Sequence, residues 1–479
     1  MIPAIKNRQQ RSCDVLVVGA GAAGMFAALA ARGVLDAKGQ PQPLIDAAPD
    51  VVLLNNEARL GLKILVSGGG RCNLTNARVD EADYESDNAR VVKGLLRGFP
   101  ADAARTFFTT RGCPLHEEDL GKVFPQSNTA RDVLQVLLDA VTAAGIALVV
   151  PAEVTRLEPP TTTAARWVVQ LADGSAWQPR RVVLATGGRS LPKTGSRGFG
   201  LEELARLGHT IEPSLLALTP LHLSSAGPLA GLAGLTVPAV LTLAPRAIQS
   251  EQLSGARYRP LARSAGSLLV THKGATGPAP FDVSGACGRA LRAGEDVVLR
   301  GDFWSLVADS GPWAPFRNLD KQPGASLPPA QAPRAPSLDI FVAQTKALLP
   351  GERALAGALG TWLPRALTDA LLRKAGLDPA LKIKQLDARG QRQLHLALTQ
   401  VDLGLVGTGG YEKAEVTAGG VLLGELDRRS LESLRVAGLH CCGEVVNVTG
   451  RLGGFNFQWA WSSGYAAGRG AAAAPLSPI

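Results

Sequence analysis

The chain has 479 residues, 46% hydrophobic, with 54 glycines and 32 prolines; this accommodates two or three domains and suits a loop-rich α/β enzyme, excluding a fibrous or disordered chain. Its net charge of +9 fits either a codon bias toward arginine or a polyanionic partner such as RNA, and no basic run or nucleic-acid motif decides between them. Six cysteines without a C-x-x-C and six scattered histidines exclude a disulfide framework and zinc-finger spacing, no apolar run is long enough for a membrane span, and the N-terminal MIPAIKNRQQRSC has charge but no apolar h-region, so no metal, no membrane, no signal peptide and a cytoplasmic location are expected.

DVLVV (14–18) has the pattern of a short buried strand, GAGAAG (19–24) is a glycine turn, and MFAALAARG (25–33) is an alanine-rich helix stopped by Gly33. Between a strand and a helix, G-x-G-x-x-G at Gly19, Gly21 and Gly24 is a dinucleotide fingerprint. Gly19 makes the tight turn, Gly21 lets the backbone approach a pyrophosphate, and Gly24 packs helix on strand. The helix N-terminus then meets the anion. The alternative is a tight βα turn that binds nothing. A second strand, VVLLN (51–55), follows an inserted loop (35–50) and ends in Asn55, where an acid that grips a ribose is usual; Glu57 is the possible substitute.

VSGGGRCNLTN (66–76) follows, and its glycines give backbone N–H groups access to a ligand. RRVVLATGGRS (180–190) is another buried strand ending in small residues. From 213 to 300, short β-type runs alternate with Pro/Gly turns. A proline-rich connector (323–337) and helically spaced segments (338–402) come next. The segment 438–474 returns to a short strand ending in Gly443-Glu444, then a helix opened by Gly453-Gly454.

Taken in order, GAGAAG, SGGGRCNLTN, ATGG, EVTAGGV and GEVVNVTGRLGGFNFQWAWSSG resemble the BaiN/YhiN family of FAD-dependent flavoproteins. The likeness covers both ends of the chain and weakens through GSLLVTHKGATGPA. It implies an α/β fold with a discontinuous Rossmann-like FAD/NAD(P)-binding domain (1–212 and 403–479). A β-rich, barrel-like domain with its connector (213–337) and a small helical insert (338–402) interrupt it. FAD would meet Gly19, Ala20, Gly21, Ala23 and Gly24 at the pyrophosphate and Asn55 at the ribose. Gly68, Gly69, Gly70, Arg71, Cys72 and Asn73 would line the flavin side. Thr186 and Gly187 would close over the cofactor. Gly443, Glu444, Gly453, Gly454, Phe455 and Asn456 would meet the ribityl and isoalloxazine groups. Two positions depart from the family: Asn55 replaces a usual carboxylate, and Asn447 replaces a common Asp.

The expected reaction is NAD(P)H-driven reduction of an activated C=C bond by hydride transfer through flavin N5. The helix opening at Gly453-Gly454 would stabilise the reduced flavin anion. GTGGYEK (407–413) lacks the spacing of a second fingerprint, so NAD(P)H is expected to dock transiently over the isoalloxazine, in space that the substrate later uses. His272 is the candidate proton donor, against a structural loop histidine. Disulfide exchange needs two cysteines. Cys72, with no thiol nearby in sequence, is therefore taken as packing beside the flavin, with a reactive thiol as the alternative. Arg71 is a candidate partner for a phosphate or an anionic substrate. Two other classes stay open: a flavin-dependent RNA base-modifying, uridine-reducing enzyme, and a non-catalytic electron carrier. The partner is accordingly a small molecule or RNA.

Overall fold

The computed structural model describes residues 11–162, 165–248, 259–308, 326–327, 334, 336–349 and 351–473. Most of the proline-rich connector lies outside the described residues. The chain forms two compact units, Met1–Ser214 with Glu415–Ile479, and Leu215–Ala414. No helix among the described residues is long and apolar enough to cross a membrane.

The first unit is built on β1 (Arg11–Val18), α1 (Ala22–Ala31), β2 (Val51–Leu54), α2 (Leu62–Val66), β3 (Ala176–Leu184), β4 (Leu439–Cys441) and α3 (Phe455–Ala472). The four strands run parallel. The sheet extends past β2 through Ala147–Val149, and past β3 through antiparallel Val168–Leu171 and Val154–Glu158. Parallel strands are covered on both faces, which is why Val15–Val18 of β1 and the whole of β2 read as unbroken apolar runs. The register brings Val18 beside both Leu54 and Leu184, and Leu184 beside Cys441. The carboxyl ends of all four strands are therefore flush.

α1 is buried almost all round, and its alanines let other backbones come close. A Cβ at Gly464 of α3 would lie 2.5 Å from Ala23 O and 3.1 Å from Phe26 Cβ; one at Gly468 would overlap Ala27 O and lie 2.9 Å from Ala27 Cα. These pairings run in one direction, so α1 and α3 are parallel. Phe455 opens α3 nine residues before Gly464, whereas Ala22 opens α1 one residue before Ala23. At roughly 1.5 Å of rise per residue, the N-terminus of α3 stands about 12 Å beyond that of α1.

The second unit holds a sheet in the order Val401–Asp402, Val297–Asp302, Thr236–Pro245, Ala262–Thr271, Gly274–Thr276, Leu221–Leu223, Leu405–Thr408. The two ends of this path are consecutive in the chain, separated by Leu403 and Gly404, so the sheet curls back on itself. The helix Pro278–Arg292 packs through Ala279, Val283 and Cys287 into its core. Leu355, Leu367 and Leu394, from helices between 338 and 399, join the same core.

Gly468→Ala is expected to lower stability by about 3 kcal/mol, because the added methyl meets rigid backbone. Gly94→Ala, at an exposed helical site with nothing within 4 Å, is expected to raise it by up to about 1 kcal/mol. Urea unfolding of both variants measures the contrast; equal midpoints would contradict the close helix contact.

Candidate functional site

Residues that leave the flush strand ends form one face of the first unit. Gly19 (φ +105) turns so tightly that a Cβ there would lie 2.5 Å from Ala185 O. A Cβ on Gly24 would overlap Gly19 O, so the helix rests on the turn, while Gly21 has nothing within 4 Å and opens to free space. No side chain caps α1, and no acid occupies its first turn. Ala20 N–H donates to Asn55 Oδ1 (3.2 Å), and Asn55 Nδ2 donates to Glu57 O (2.6 Å). The Glu57 carboxylate is 2.7 Å from Arg197. Asn55 is thus the residue at the glycine turn, and Glu57 is committed elsewhere. On the other side of the turn, Gly443 approaches Ala23, and a Cβ on it would lie 2.8 Å from Ala23 Cβ.

Ser67–Gly70 form a tight turn after α2, with Gly68, Gly69, Gly70 and then Cys72 at φ between +55 and +85. Three of these four are glycine, the residue that adopts this conformation without strain. α3 clasps the segment that follows. Trp461 Nε1 donates to Leu74 O (2.8 Å), Thr75 Oγ1 to Gln458 Oε1 (2.6 Å), and Asn76 Nδ2 to Gly453 O (3.1 Å). A Cβ on Gly454 would lie 2.9 Å from Asn73 Oδ1, and that oxygen accepts from Val123 N–H (3.2 Å). α3 also starts without a capping side chain or an acid. Asn456 is turned back, pairing both amide atoms with the Gly450 backbone (2.9 and 2.8 Å), and Phe455 lies buried under the Arg451 guanidinium at 4.0 Å.

Several expected ligands are committed within the protein. Arg71 pairs with Glu118, donates to Asn128 Oδ1 (2.9 Å) and stacks 4.0 Å over Phe124. His116 joins the same carboxylate at 3.1 Å. Arg71 is therefore held in place by protein groups. Burial would raise the Glu118 carboxyl, but Arg71 and His116 hold it below its usual value. Cys72 is wholly buried, and burial pushes its thiol up to about 12, opposed by Ser67 and reinforced by Cys113. Burial and a raised thiol both suit the packing role. The buried Thr186 hydroxyl has no hydrogen-bond partner among the described residues and is turned toward Gly200, while Gly187 packs against Ser196. His272 lies exposed in the turn between Ala262–Thr271 and Gly274–Thr276 of the second unit. Asn447 donates to Asp87 Oδ1 (3.2 Å); an Asp there would face a like charge.

Glu444 does not stand free. Its Oε2 accepts from Lys63 Nζ (2.5 Å), and its Oε1 accepts from Thr417 N–H (2.6 Å) and Ser190 Oγ (2.9 Å). Sequence reasoning missed Lys63, Ser190 and Thr417. Lys63 and Ser190 lie 381 and 254 residues from Glu444, and the one local signal was a lysine shortly before the glycine run. No group of His, Cys, Asp and Glu suited to a metal occurs among the described residues.

The model of the HI0933-like protein Rossmann domain matches residues 13–470. A protein of Escherichia coli K12 named ribosomal RNA dihydrouridine synthase is 32% identical over 466 residues, 97% of this chain and 99% of that protein. The chain belongs to the HI0933-like family. Another relative, the 3-dehydro-bile acid delta(4,6)-reductase of Clostridium scindens, is 29% identical over 96% of this chain and 99% of its own length. A Haemophilus influenzae protein, also named ribosomal RNA dihydrouridine synthase, is 28% identical over 94% of this chain and 96% of its own length. The HI0933-like family is one of FAD-dependent oxidoreductases with a Rossmann-type FAD-binding domain, and this chain is an enzyme of that kind.

One other arrangement in the first unit has the connectivity of a catalytic triad. Ser433 Oγ lies 2.8 Å from His209 Nε2, and His209 Nδ1 lies 2.9 Å from Glu425. The Ser433 oxygen already accepts the Arg435 and Val436 N–H groups (3.1 and 2.8 Å), and the His209 side chain is fully buried. The serine is therefore a turn acceptor and no nucleophile. Burial lowers His209 below its ordinary 6.5 despite Glu425. Burial would raise Glu425, yet Arg435, Thr210 and His209 hold it at about 2. Both groups resist protonation in the fold, so their contribution is complete above pH 6.5 and is lost as pH falls. The loss begins below 6.5 for His209 and continues from 4.5 toward 2 for Glu425. His209→Gln is expected to flatten the first part of this acid limb in urea-midpoint measurements. All six cysteines are buried, so native protein near neutral pH is expected to resist iodoacetamide. Early alkylation of Cys72, read by mass spectrometry, would contradict its packing.

Proposed function

We propose that this enzyme holds FAD across the flush sheet edge and reduces a C=C bond conjugated to a carbonyl, with NAD(P)H as a transient electron donor. The observation that carries this is the pair of parallel, uncapped helix N-termini staggered by about 12 Å along their axes. Each offers unpaired N–H groups and the positive end of a dipole to an anion. Their stagger suits the ribityl link between a pyrophosphate and a flavin ring. Free space before Gly21 and the absence of any acid in either first turn also suit the cofactor.

In this reading α1 and Gly21 take the pyrophosphate with no side chain in the way. Asn55, without charge, lies toward the ribose. Gly68, Gly69 and Gly70 bring backbone to the flavin side, and the start of α3 favours negative charge on the ring. Bound FAD supplies two-electron hydride chemistry. The relatives' names support the reaction class, because a delta(4,6)-reductase and a dihydrouridine synthase both describe saturation of a C=C near a carbonyl. A second reading, with RNA as the substrate, is favoured by the net charge of +9 and by the two relatives named for ribosomal RNA. A gel shift with ribosomal RNA that weakens steeply with salt would favour it.

The purified chain is expected to be yellow and to release FAD on denaturation. Gly21→Val is expected to stay folded and lose FAD, since its side chain enters the pyrophosphate space. Colourless wild-type protein that cannot be reconstituted with FAD, or full FAD occupancy in Gly21→Val, would overturn the assignment.

A further inference from the structure

We propose that Lys63 sets how tightly the bound flavin holds its electrons, with Ser190 and Glu444 aiming its charge and partly offsetting it; this rests on the FAD assignment above. Lys63 stands on α2, one turn before Ser67–Gly70. Its ammonium donates to Ser190 Oγ at 2.7 Å and to Glu444 Oε2 at 2.5 Å. Each acceptor sits on a loop that leaves the flush sheet edge. Ser190 follows β3 by way of Ala185–Gly188, and Glu444 follows β4 directly after Gly443. Thr417 N–H fixes the far oxygen of Glu444. Gly188 must lack a side chain for this to form, since a Cβ there would lie 3.0 Å from Glu444 Oε1 and 2.5 Å from Thr417 Oγ1. The glycine-run helix and both edge loops therefore converge on one cation.

Two of the three ammonium N–H groups are used, and the third has no protein partner among the described residues. The Lys63 side chain is 28% exposed and that of Glu444 17%, so a bound group can reach the cation while much of the pair is out of water. Charges in such surroundings act more strongly than in bulk solvent. Two-electron reduction of a flavin near neutral pH leaves negative charge on the ring. A nearby cation favours that state, and a nearby carboxylate opposes it. Removing Lys63 and removing Glu444 must then shift the equilibrium in opposite directions, whereas loss of a mere brace would disturb both variants alike.

The experiment is a spectroscopic redox titration of the FAD-loaded full chain for wild type, Lys63→Met, Lys63→Arg and Glu444→Gln. Lys63→Met is expected to disfavour the reduced form about tenfold, a fall of about 30 mV for a two-electron couple. Lys63→Arg is expected to stay near wild type, and Glu444→Gln to move upward. An unchanged potential in FAD-loaded Lys63→Met, or shifts of the same sign in Lys63→Met and Glu444→Gln, would overturn the proposal. So would loss of FAD from both variants while wild type retains it, because the network would then be a brace. Wild-type protein that never binds FAD would instead remove the assignment on which the proposal rests.

Discussion

The first unit depends on backbone meeting backbone where α1 crosses α3. Gly464 and Gly468 lie against the carbonyls of Ala23 and Ala27, at a separation that no side chain larger than hydrogen permits. This contact makes the helices parallel and fixes their stagger, and everything at the sheet edge follows from it. The glycine turn at Gly19 is positioned by β1 and α1. The Leu74–Asn76 segment is positioned by Gly453, Gln458 and Trp461 at and beyond the start of α3. Two anion-attracting helix ends therefore share one face although their residues come from opposite ends of the chain.

Much of this was legible in the sequence because it is written in glycine. The spacing of Gly19, Gly21 and Gly24 states a turn, an opening and a packing contact, and each of the three has that role. The strands after which Asn55, Ala185 and Cys442 stand were visible as apolar runs bounded by small residues. Side-chain partnerships were not visible. Arg71 next to a glycine run looks unpartnered until Glu118 and Phe124 of a separate hairpin, and Asn128 just after it, arrive. Cys72 looks isolated until the fold brings Cys113 near it. Glu444 looks unpartnered until Lys63 and Ser190 reach its oxygens. Local pattern determines backbone shape, while a charge's partner is a property of the whole fold.

In the second unit, short β-type runs with Pro/Gly punctuation announced a β-rich body. The closure at Leu403-Gly404 left no such mark, because a strand that pairs on one side and then on the other keeps the same alternation. The helices between 338 and 399 carry clear helical spacing, but spacing says nothing about which core they enter. Leu355, Leu367 and Leu394 enter the one that holds the sheet.

The discontinuity of the first unit bears on how the protein is made. Leu215–Ala414 is continuous in sequence, so a ribosome delivers all of it before any of α3. β1 and α1 emerge long before that, and α1 is apolar on nearly every side. The cover over its Ala23–Ala27 side arrives only with α3, after the whole second unit has been synthesised. For that interval β1 has its sheet neighbours and Phe26 has Phe99 and Phe107, but the Ala23–Ala27 side of α1 lacks its partner and leaves an apolar surface of the kind that misassembles or recruits chaperones. Ligand capture must wait as well, because the clasp around Leu74–Asn76 closes only when Trp461 is in place.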